Sequence, residues 1–198
     1  MEYHLDIPLS VDEVKKLKVG DILYVTGTIF TARDEAHKRA LDFHEKGKQL
    51  PIVLEGLPIF HCGPIMKNEN GVWKVIAAGP TTSTRMEIFE DQFIKNFKIR
   101  AVIGKGGMGQ KTVDAMKDYG VFYGAFTGGA AILAAKSITK VKGVQWMDLG
   151  MPEAMWQLEV KEFGPITVAI DTKGNNLFEI VTKNANNKKQ KIFQNKLI

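Results

Sequence analysis

Cysteine is nearly absent from this sequence of 198 residues, which contains only Cys62. An intrachain disulfide needs two cysteines, so none can form, and the reducing cytoplasm is the expected location. The same scarcity excludes an iron–sulfur cluster or a cysteine-rich zinc site built by this chain alone. We therefore expect the chain to hold no metal of its own.

Long apolar runs are also missing. No stretch approaches the roughly 18 apolar residues in succession that a membrane-spanning helix needs. The start MEYHLDIPLS has early acidic residues and lacks the basic and then apolar pattern of a secretion signal. Membrane insertion and export are therefore not expected. Apolar residues nevertheless make up 44% of the chain, which is enough for an ordinary core.

Acidic residues are absent from the last part of the chain. Five lysines and no acids lie between Thr182 and Lys196, and they account for the whole formal net charge of +5. The rest of the protein is close to neutral, so binding to nucleic acid is not expected. We interpret residues 182–198 as a basic polar tail, solvated and frayed, and residues 1–181 as one domain. A contact of the tail with RNA or a membrane surface is the alternative.

Strand and helix patterns alternate along the chain, which predicts an α/β or α+β fold with a mixed sheet. A capping box of Ser10 and Glu13 should start a helix, and Gly27 should mark a bulge or a close backbone approach in a strand. Further helices are expected from Thr31 to about 46, over 86–97 and 111–119, after Gly128-Gly129, and around 152–155. The expected strands are ILYVTGTIF, a hairpin around KNENG, IRAVIG, VFYGAFTGG, and two at the end, the second within NNLFEI.

A dense group of polar side chains follows an apolar segment at residues 79–86, GPTTSTRM. Gly-Pro indicates a turn that leaves a strand. Hydroxyl and backbone N–H groups can donate to an oxyanion, and arginine offers two parallel donors to a carboxylate or phosphate. The pattern is typical either of an anion site that includes Arg85 or of a serine- and threonine-rich helix cap with a surface arginine.

A second basic residue lies at the start of a predicted helix in TARDEAHKR. Thr31 is suited to cap this helix, and Asp34 and Glu35 complement the positive end of its dipole. Arg33 lies at that same end, where a cation is unfavourable unless it faces a bound anion. The alternative is an ordinary surface ion pair of Arg33 with Asp34 or Glu35.

Three glycines follow the strand pattern IRAVIG, in the segment Gly104–Gly109. Their spacing matches the dinucleotide fingerprint GxGxxG, but the next strand ends without the acidic residue that this fingerprint requires. Gln110 separates the last glycine from Lys111, so the segment is not a Walker A loop either. It remains a glycine-lined helix start beside Lys105, which is suited to a small anion.

Two histidines and the cysteine could also carry chemistry. His61 and Cys62 are adjacent, which suggests a metal ligand or a nucleophile. Neighbouring residues of a strand point to opposite faces, however, so we interpret Cys62 as a buried structural residue. His37 is a conventional acid–base group, but its position one turn into a helix favours a structural role.

The loops TARDEAHKR, GPTTSTRM and GKGGMG occur in an order that closely resembles the β subunit of class I fumarate hydratase and of the related L(+)-tartrate dehydratase. The resemblance runs from about Gly20 to Phe178 and includes the downstream segments GG-A-x-L-A and DLGMPEAMW. Each loop alone would be weak evidence, whereas the combination is specific. It implies a swivelling β/β/α domain with a mixed sheet and flanking helices, joined in single-chain relatives to a larger domain.

The resemblance also implies which residues act. This family uses the TARD arginine, the first threonine and the arginine of GPTTxxRM, and the lysine of the later glycine loop, which correspond here to Arg33, Thr81, Arg85 and Lys105. Thr81, Arg85 and Lys105 would be catalytic, with Thr81 as the proton-transfer residue. The residues implied to bind substrate are Arg33, Thr82, Arg85 and Lys105. Single-chain relatives often have a different sequence around Gly106–Gly109, so the resemblance assigns no role to the glycines of this loop.

A cofactor and a partner are implied in the same way. Members of the family hold a [4Fe–4S] cluster with three cysteines outside this portion, and one iron is open to substrate. The lone Cys62 fits the two-subunit form, in which a separate α subunit bears those cysteines. We therefore expect such an α subunit as partner, a four-carbon dicarboxylate of the tricarboxylic acid cycle as substrate, and no cofactor bound by this chain alone. The isolated chain could also form a homodimer.

The implied reaction suits these residue types. Two arginines can hold the two carboxylates of fumarate or malate, and fixed cations stabilise the dianion that develops when water is added. A threonine hydroxyl is a poor base, so Thr81 would need Arg85 or Lys105 nearby. Our hypothesis is the β subunit of a fumarate hydratase, inactive or nearly so without its partner. The alternatives are the β subunit of L(+)-tartrate dehydratase and a stand-alone small-anion-binding protein.

Overall fold

A closed ring of strands lies at the centre of the computed structural model, which describes residues 1–127, 129 and 131–195. One sheet has the order β1-β2-β3-β6-β7-β9-β8, and β9 also pairs with β2, so the ring closes through β2, β3, β6, β7 and β9. A separate hairpin consists of β4 and β5. The strands are β1 (Glu2–Asp6), β2 (Ile22–Thr31), β3 (Pro58–Phe60), β4 (Ile65–Glu69), β5 (Val72–Ala77), β6 (Ala101–Gly104), β7 (Phe122–Ala125), β8 (Ile138–Gln145) and β9 (Met155–Ile170).

Helices cover the ring and connect its parallel strands. They are α1 (Val11–Val14), α2 (Asp34–Glu45), α3 (Glu87–Phe97), α4 (Gln110–Tyr119), α5 (Ala131–Ser137) and α6 (Leu177–Asn195), with short 3-10 helices at Ser83–Met86 and Met147–Leu149. Parallel strands need long crossovers, and α2, α3 and α4 lie in the connections between β2, β3, β6 and β7. In the described part of the chain, no helix is both long and apolar enough to cross a membrane.

Two apolar cores stabilise this arrangement. One fills the ring and includes Leu23, Phe60 and Phe163, and the other lies between the ring and the helices and includes Phe93, Val102 and Met116. The parallel neighbours in the ring are in register, because Thr31 of β2 pairs with Phe60 of β3, and Phe60 pairs with Ile103 of β6. The carboxyl ends of β2, β3 and β6 therefore meet at one edge, and the loops that follow them are neighbours.

The predicted α/β class with a mixed sheet and flanking helices is confirmed. The capping box is present, since the Ser10 hydroxyl accepts from the Glu13 N–H and the Glu13 carboxylate accepts from the Ser10 N–H. Gly27 has φ +129 and lies beside a shift in the register of β2 and β9, as its position in the strand predicted. These features depend on residues close in sequence, which is why the sequence indicated them.

Thr31 does not cap a helix. It is the last residue of β2, it is fully buried, and α2 begins with Arg33 at its N-cap position and no side-chain cap bond. The hydroxyl of Thr31 instead accepts a hydrogen bond of 3.0 Å from the N–H of Trp156 in β9. Pairing with the neighbouring strands fixes the conformation of Thr31 and overrides the local preference of threonine for a helix N-cap.

Two further expectations near the end of the chain are wrong. The predicted short helix around 152–155 is a turn followed by β9, and the short helix lies earlier, at Met147–Leu149. The predicted final strand within NNLFEI is the start of α6, where the N–H of Phe178 donates to the side chain of Asn176 at 3.0 Å. Within the expected tail, residues 182–195 continue α6, while residues 196–198 lie outside the described residues, as does Gly128.

Candidate active site

Three loops that the sequence singled out meet at the carboxyl edge of β2, β3 and β6. Thr82 and Lys105 form a parallel β-bridge, and the N–H of Ser83 donates to the Lys105 carbonyl at 2.9 Å. The N–H of Thr81 donates to the carbonyl of His61, directly after β3, at 2.7 Å. Ligands of both open and closed α/β sheets commonly bind at the carboxyl ends of the parallel strands. The backbone therefore brings GPTTSTRM against the ends of two neighbouring strands.

The hydroxyl-rich loop is not a helix cap. Thr82 precedes the 3-10 helix Ser83–Met86, but no side-chain capping bond forms there. Thr82 is exposed and Thr81 is partly buried, whereas Ser83 is fully buried. The adjacent hydroxyls therefore differ in role, because Thr81 and Thr82 remain at the edge and Ser83 points into the protein.

Acidic residues hold both arginines in place. Nη2 of Arg85 lies 2.8 Å from Oδ2 of Asp34, and Nη2 of Arg33 lies 3.1 Å from Oε1 of Glu153. The surface pairing of Arg33 with Asp34 or Glu35, which the sequence left open, is therefore not what the structure shows. Asp34 is the residue after Arg33, so the ion pair between Asp34 and Arg85 holds Arg85 beside the TARD loop. The Arg85 side chain is 51% exposed, so its remaining donors are open to a ligand.

An internal carboxylate occupies the glycine-lined start of α4. The Gly109 N–H donates to Oε2 of Glu87 at 2.6 Å, and the Thr112 hydroxyl donates to the same oxygen at 2.8 Å. A carboxylate at this position complements the helix dipole. The small anion expected at this helix start is therefore one of the protein's own side chains. Lys105 lies at the other end of the loop, where its backbone pairs with Thr82.

A buried polar cluster beneath the edge was not predicted as a unit. The Tyr123 hydroxyl donates to Oγ of Ser83 at 2.9 Å, and Nδ1 of His61 lies 3.0 Å from the same oxygen. Burial raises the pKa of the Tyr123 hydroxyl, so it remains a hydrogen-bond donor. Burial also lowers the pKa of His61. The sequence did not indicate that Ser83, unlike the threonines beside it, is buried. Its burial results from the pairing of its loop with Lys105, which is distant in sequence.

The cluster continues to Glu90 in α3 and His37 in α2, both fully buried. Nδ1 of His37 lies 2.8 Å from the Arg33 carbonyl oxygen. Burial alone would lower the pKa of His37, but the Glu90 carboxylate raises it above the ordinary value. Burial alone would raise the pKa of Glu90, and the two imidazoles together hold it below its usual range. His37 is thus buried and contacts the backbone of the TARD loop.

Cys62 lies on the opposite side of the strand end from His61 and packs in the core within the ring. Its side chain is fully buried, and burial raises the pKa of its thiol to about 12. A thiol in this state is neither a nucleophile nor a ready metal ligand. The prediction that Cys62 is buried is confirmed.

The packing of Ser83 and Tyr123 at the end of β6 should require a glycine at position 104. A Cβ at this position would overlap the hydroxyl oxygen of Ser83 and lie 3.2 Å from the Tyr123 hydroxyl. We expect Gly104→Ala to lower the free energy of unfolding by about 1–3 kcal/mol, because neither buried group can move without losing its partner. Urea unfolding of the purified chain would measure this.

The matched control is Gly143→Ala in β8. There the nearest atom to a new Cβ is Oε1 of Gln157 at 3.8 Å, which is an ordinary contact. This variant should unfold as the unmodified protein does. Equal stabilities of the Gly104→Ala and Gly143→Ala variants would show that the Ser83 cluster tolerates displacement, contrary to the prediction.

Comparisons with known proteins agree with this arrangement of loops. The family model described as "Fumarase C-terminus" matches residues 1–181. A protein of Methanocaldococcus jannaschii, provisionally named L(+)-tartrate dehydratase subunit beta, is 48% identical over 184 residues, which is 92% of this chain and 94% of that protein. The L(+)-tartrate dehydratase subunit beta of Escherichia coli K12 is 41% identical over 177 residues, or 89% of this chain and 87% of that protein.

A third relative is much longer than this chain. A Geobacillus stearothermophilus protein, provisionally named class I fumarate hydratase, is 47% identical over 182 residues, which is 91% of this chain but 34% of that protein. The same domain thus occurs both as a separate subunit and as part of a larger polypeptide.

Proposed function

We propose that this chain, which belongs to the Fumarase C-terminus family, is the β subunit of a hydro-lyase that works with an α subunit. The full-length relatives carry the name subunit beta, which implies such a partner for them. The longer relative contains this domain as about a third of its length. A chain of this size would accordingly supply one part of a shared active site.

The proposed substrate is a four-carbon dicarboxylate, and the proposed reaction is the interconversion of fumarate and (S)-malate. The observation that supports this most directly is the ion pair of 2.8 Å between Arg85 and Asp34. It places the guanidinium of the GPTTSTRM loop against the loop that contains Arg33. Two arginines at one strand edge suit a ligand with two carboxylates, since each guanidinium can donate two parallel hydrogen bonds.

The other residues at the edge have complementary roles in the proposal. Lys105 and Thr82, joined by their β-bridge, would contact a substrate carboxylate and stabilise the negative charge that develops on it. Thr81 would transfer the proton at the carbon next to the carboxylate. Its backbone is anchored to His61, so its side chain is presented at the edge. The neighbouring cations would favour the alkoxide form that Thr81 needs as a base.

The residues of this chain do not fit a [4Fe–4S] cluster. Such a cluster takes several thiolate ligands, whereas Cys62 is the only cysteine, lies in the core and keeps its proton. In this proposal the cluster is therefore a group of the α subunit. The contribution of the β subunit is to bind and orient the carboxylates and to move a proton at Thr81.

L(+)-tartrate is the second candidate substrate. The relatives that match along most of their length carry the name L(+)-tartrate dehydratase, and the name of the longer relative is that of a fumarate hydratase, so the names support both activities equally. Both substrates are four-carbon dicarboxylates, and the same two arginines would suit either one.

Co-expression with the cysteine-bearing α subunit from the same organism would test the proposal. The anaerobically purified complex should hydrate fumarate, and neither subunit alone should do so. Assays with (S)-malate and both chiral tartrates belong in the same series. Turnover of L(+)-tartrate alone would select the second candidate. Failure of the chains to co-purify, together with malate binding by the isolated monomer, would favour a stand-alone anion-binding protein.

A further inference from the structure

His37, His61 and Glu90 form a buried group that the proposed reaction does not use. We call it the His-Glu triad. One ligand atom from each residue lies within 4.8 Å of the others, and all three side chains are 0% exposed. The three residues come from α2, from the residue after β3, and from α3. The triad therefore joins the elements next to the TARD and GPTTSTRM loops.

In the described part of the chain, the Nε2 atoms of both histidines and both carboxylate oxygens of Glu90 lack a hydrogen-bond partner. Nε2 of His37 and Nε2 of His61 come within 3.3 Å and 3.0 Å of Oε2 of Glu90. Neither nitrogen points at that oxygen well enough for a hydrogen bond, and both Glu90 oxygens are left without one. A buried carboxylate without partners is costly. Two imidazole nitrogens and a carboxylate that converge without an aligned hydrogen bond are the arrangement that a cation bound between them would satisfy.

The two nitrogen–oxygen distances and the separation of the imidazole rings agree with a tetrahedral metal. With metal–ligand distances of about 2.0–2.1 Å, neighbouring donor atoms lie roughly 3.3 Å apart and the centroids of two coordinated imidazoles roughly 5.2 Å apart. The observed nitrogen–oxygen distances are 3.3 Å and 3.0 Å, and the centroids of His37 and His61 are 5.2 Å apart. The two rings are inclined at 74°, and in each ring Nε2 is the nitrogen that lies near Oε2 of Glu90.

The second nitrogen of each ring has the partner that a metal-bound histidine needs. Nδ1 of His37 lies 2.8 Å from the Arg33 carbonyl oxygen, and Nδ1 of His61 lies 3.0 Å from the Ser83 hydroxyl oxygen. A histidine that ligates through Nε2 usually donates its Nδ1–H to such a group. The Ser83 oxygen has two lone pairs, so it can accept from both His61 and Tyr123.

We propose that the His-Glu triad is a structural site for a divalent transition metal, of which Zn²⁺ fits best. The ligands are Nε2 of His37, Nε2 of His61 and Oε2 of Glu90, and a water molecule would complete the tetrahedron. Imidazole and carboxylate together suit zinc. This departs from the expectation, based on the lone cysteine, that the chain holds no metal. Because the triad has no exposed surface, the ion enters during folding and stabilises the positions of α2 and α3.

Metal analysis of the isolated full-length chain, produced without a histidine tag, tests this proposal independently of any catalytic activity. We expect about one zinc per chain after dialysis, and a higher melting temperature after refolding with Zn²⁺ than with a chelator. Refolding with Co²⁺ should give the visible absorption of a tetrahedral cobalt site. A metal-free protein that refolds equally well and melts at the same temperature in chelator would overturn the proposal.

Glu90→Gln is the informative variant, since it keeps the volume of the side chain and removes the charged ligand. We expect at least a tenfold loss of bound zinc. His44→Gln, on the exposed surface of α2, is the matched control and should retain the metal. Equal zinc content in both variants would place the ion elsewhere and refute the assignment. If Glu90→Gln does not fold, the cobalt spectrum of the unmodified chain decides, and absence of the tetrahedral band counts against the triad.

Discussion

Replacement of Arg85 by alanine should lower kcat/KM of the reconstituted complex by about 10²–10³-fold, the range observed when one fixed donor to a developing oxyanion is removed. The guanidinium is half exposed at the strand edge and is oriented by Asp34. Its removal deletes one of the two proposed carboxylate contacts and leaves the core untouched. Steady-state kinetics with fumarate measures the loss, and size-exclusion chromatography shows whether the complex still assembles.

The matched control for this experiment is Arg39→Ala. Arg39 in α2 also forms an ion pair, with Nη1 2.7 Å from Oδ2 of Asp148, and it lies over the ring of Trp146. It is not part of the candidate site, so its loss should leave kcat/KM within about twofold, as expected for a surface pair. If Arg85→Ala and Arg39→Ala retained the same activity in an assembled complex, Arg85 would not bind the substrate.

Replacement of Trp156 by alanine should lower the free energy of unfolding by about 3–5 kcal/mol, the usual cost of truncating a large buried aromatic side chain. Trp156 is 0% exposed in the core of the ring. Its ring packs edge to face on Trp73 at a centroid distance of 5.0 Å, and its indole N–H donates to the Met151 carbonyl at 2.9 Å. Chemical unfolding followed by far-ultraviolet circular dichroism would measure the loss.

Two companion variants separate the contributions. Trp156→Phe keeps most of the apolar volume and removes the N–H, so its loss of stability should be smaller than that of Trp156→Ala. Val72→Ala in β5 truncates a side chain that is 61% exposed and should change the free energy of unfolding by less than about 0.5 kcal/mol. A Trp156→Ala variant as stable as Val72→Ala would contradict the position assigned to Trp156 in the core.

Several elements could be predicted because their causes are local. The capping box of Ser10 and Glu13 lies within four residues, and the turn between β4 and β5 uses Asn70 and Gly71, which both have positive φ. Gly120 ends α4 in the left-handed conformation, as a glycine after a helix commonly does. The loops with Arg33, Thr81, Arg85 and Lys105 were found in the same way, as unusual residue types beside strand and helix patterns. Their roles in binding and catalysis stay predictions.

Other features depended on partners distant in sequence. β9 pairs with β2, β7 and β8, and these pairings close the ring and extend β9 through Met155. Pairing with Phe60 of β3 keeps Thr31 in a strand. The start of α6 was mistaken for a strand because Leu177, Phe178 and Ile180 suit either structure. Short apolar segments of this kind are ambiguous by pattern alone.

By itself, the sequence determined the α/β class, most helices and strands, the family resemblance and the positions of the candidate loops. Only the tertiary structure decided which charges meet: Arg85 with Asp34, Arg33 with Glu153, Glu87 with the start of α4, and Glu90 with two histidines. Local patterns depend on residues a few positions apart. These contacts join residues 20 or more positions apart, and they form because β2, β3 and β6 bring their loops to one edge, where the antiparallel strand β9 begins beside the end of β2.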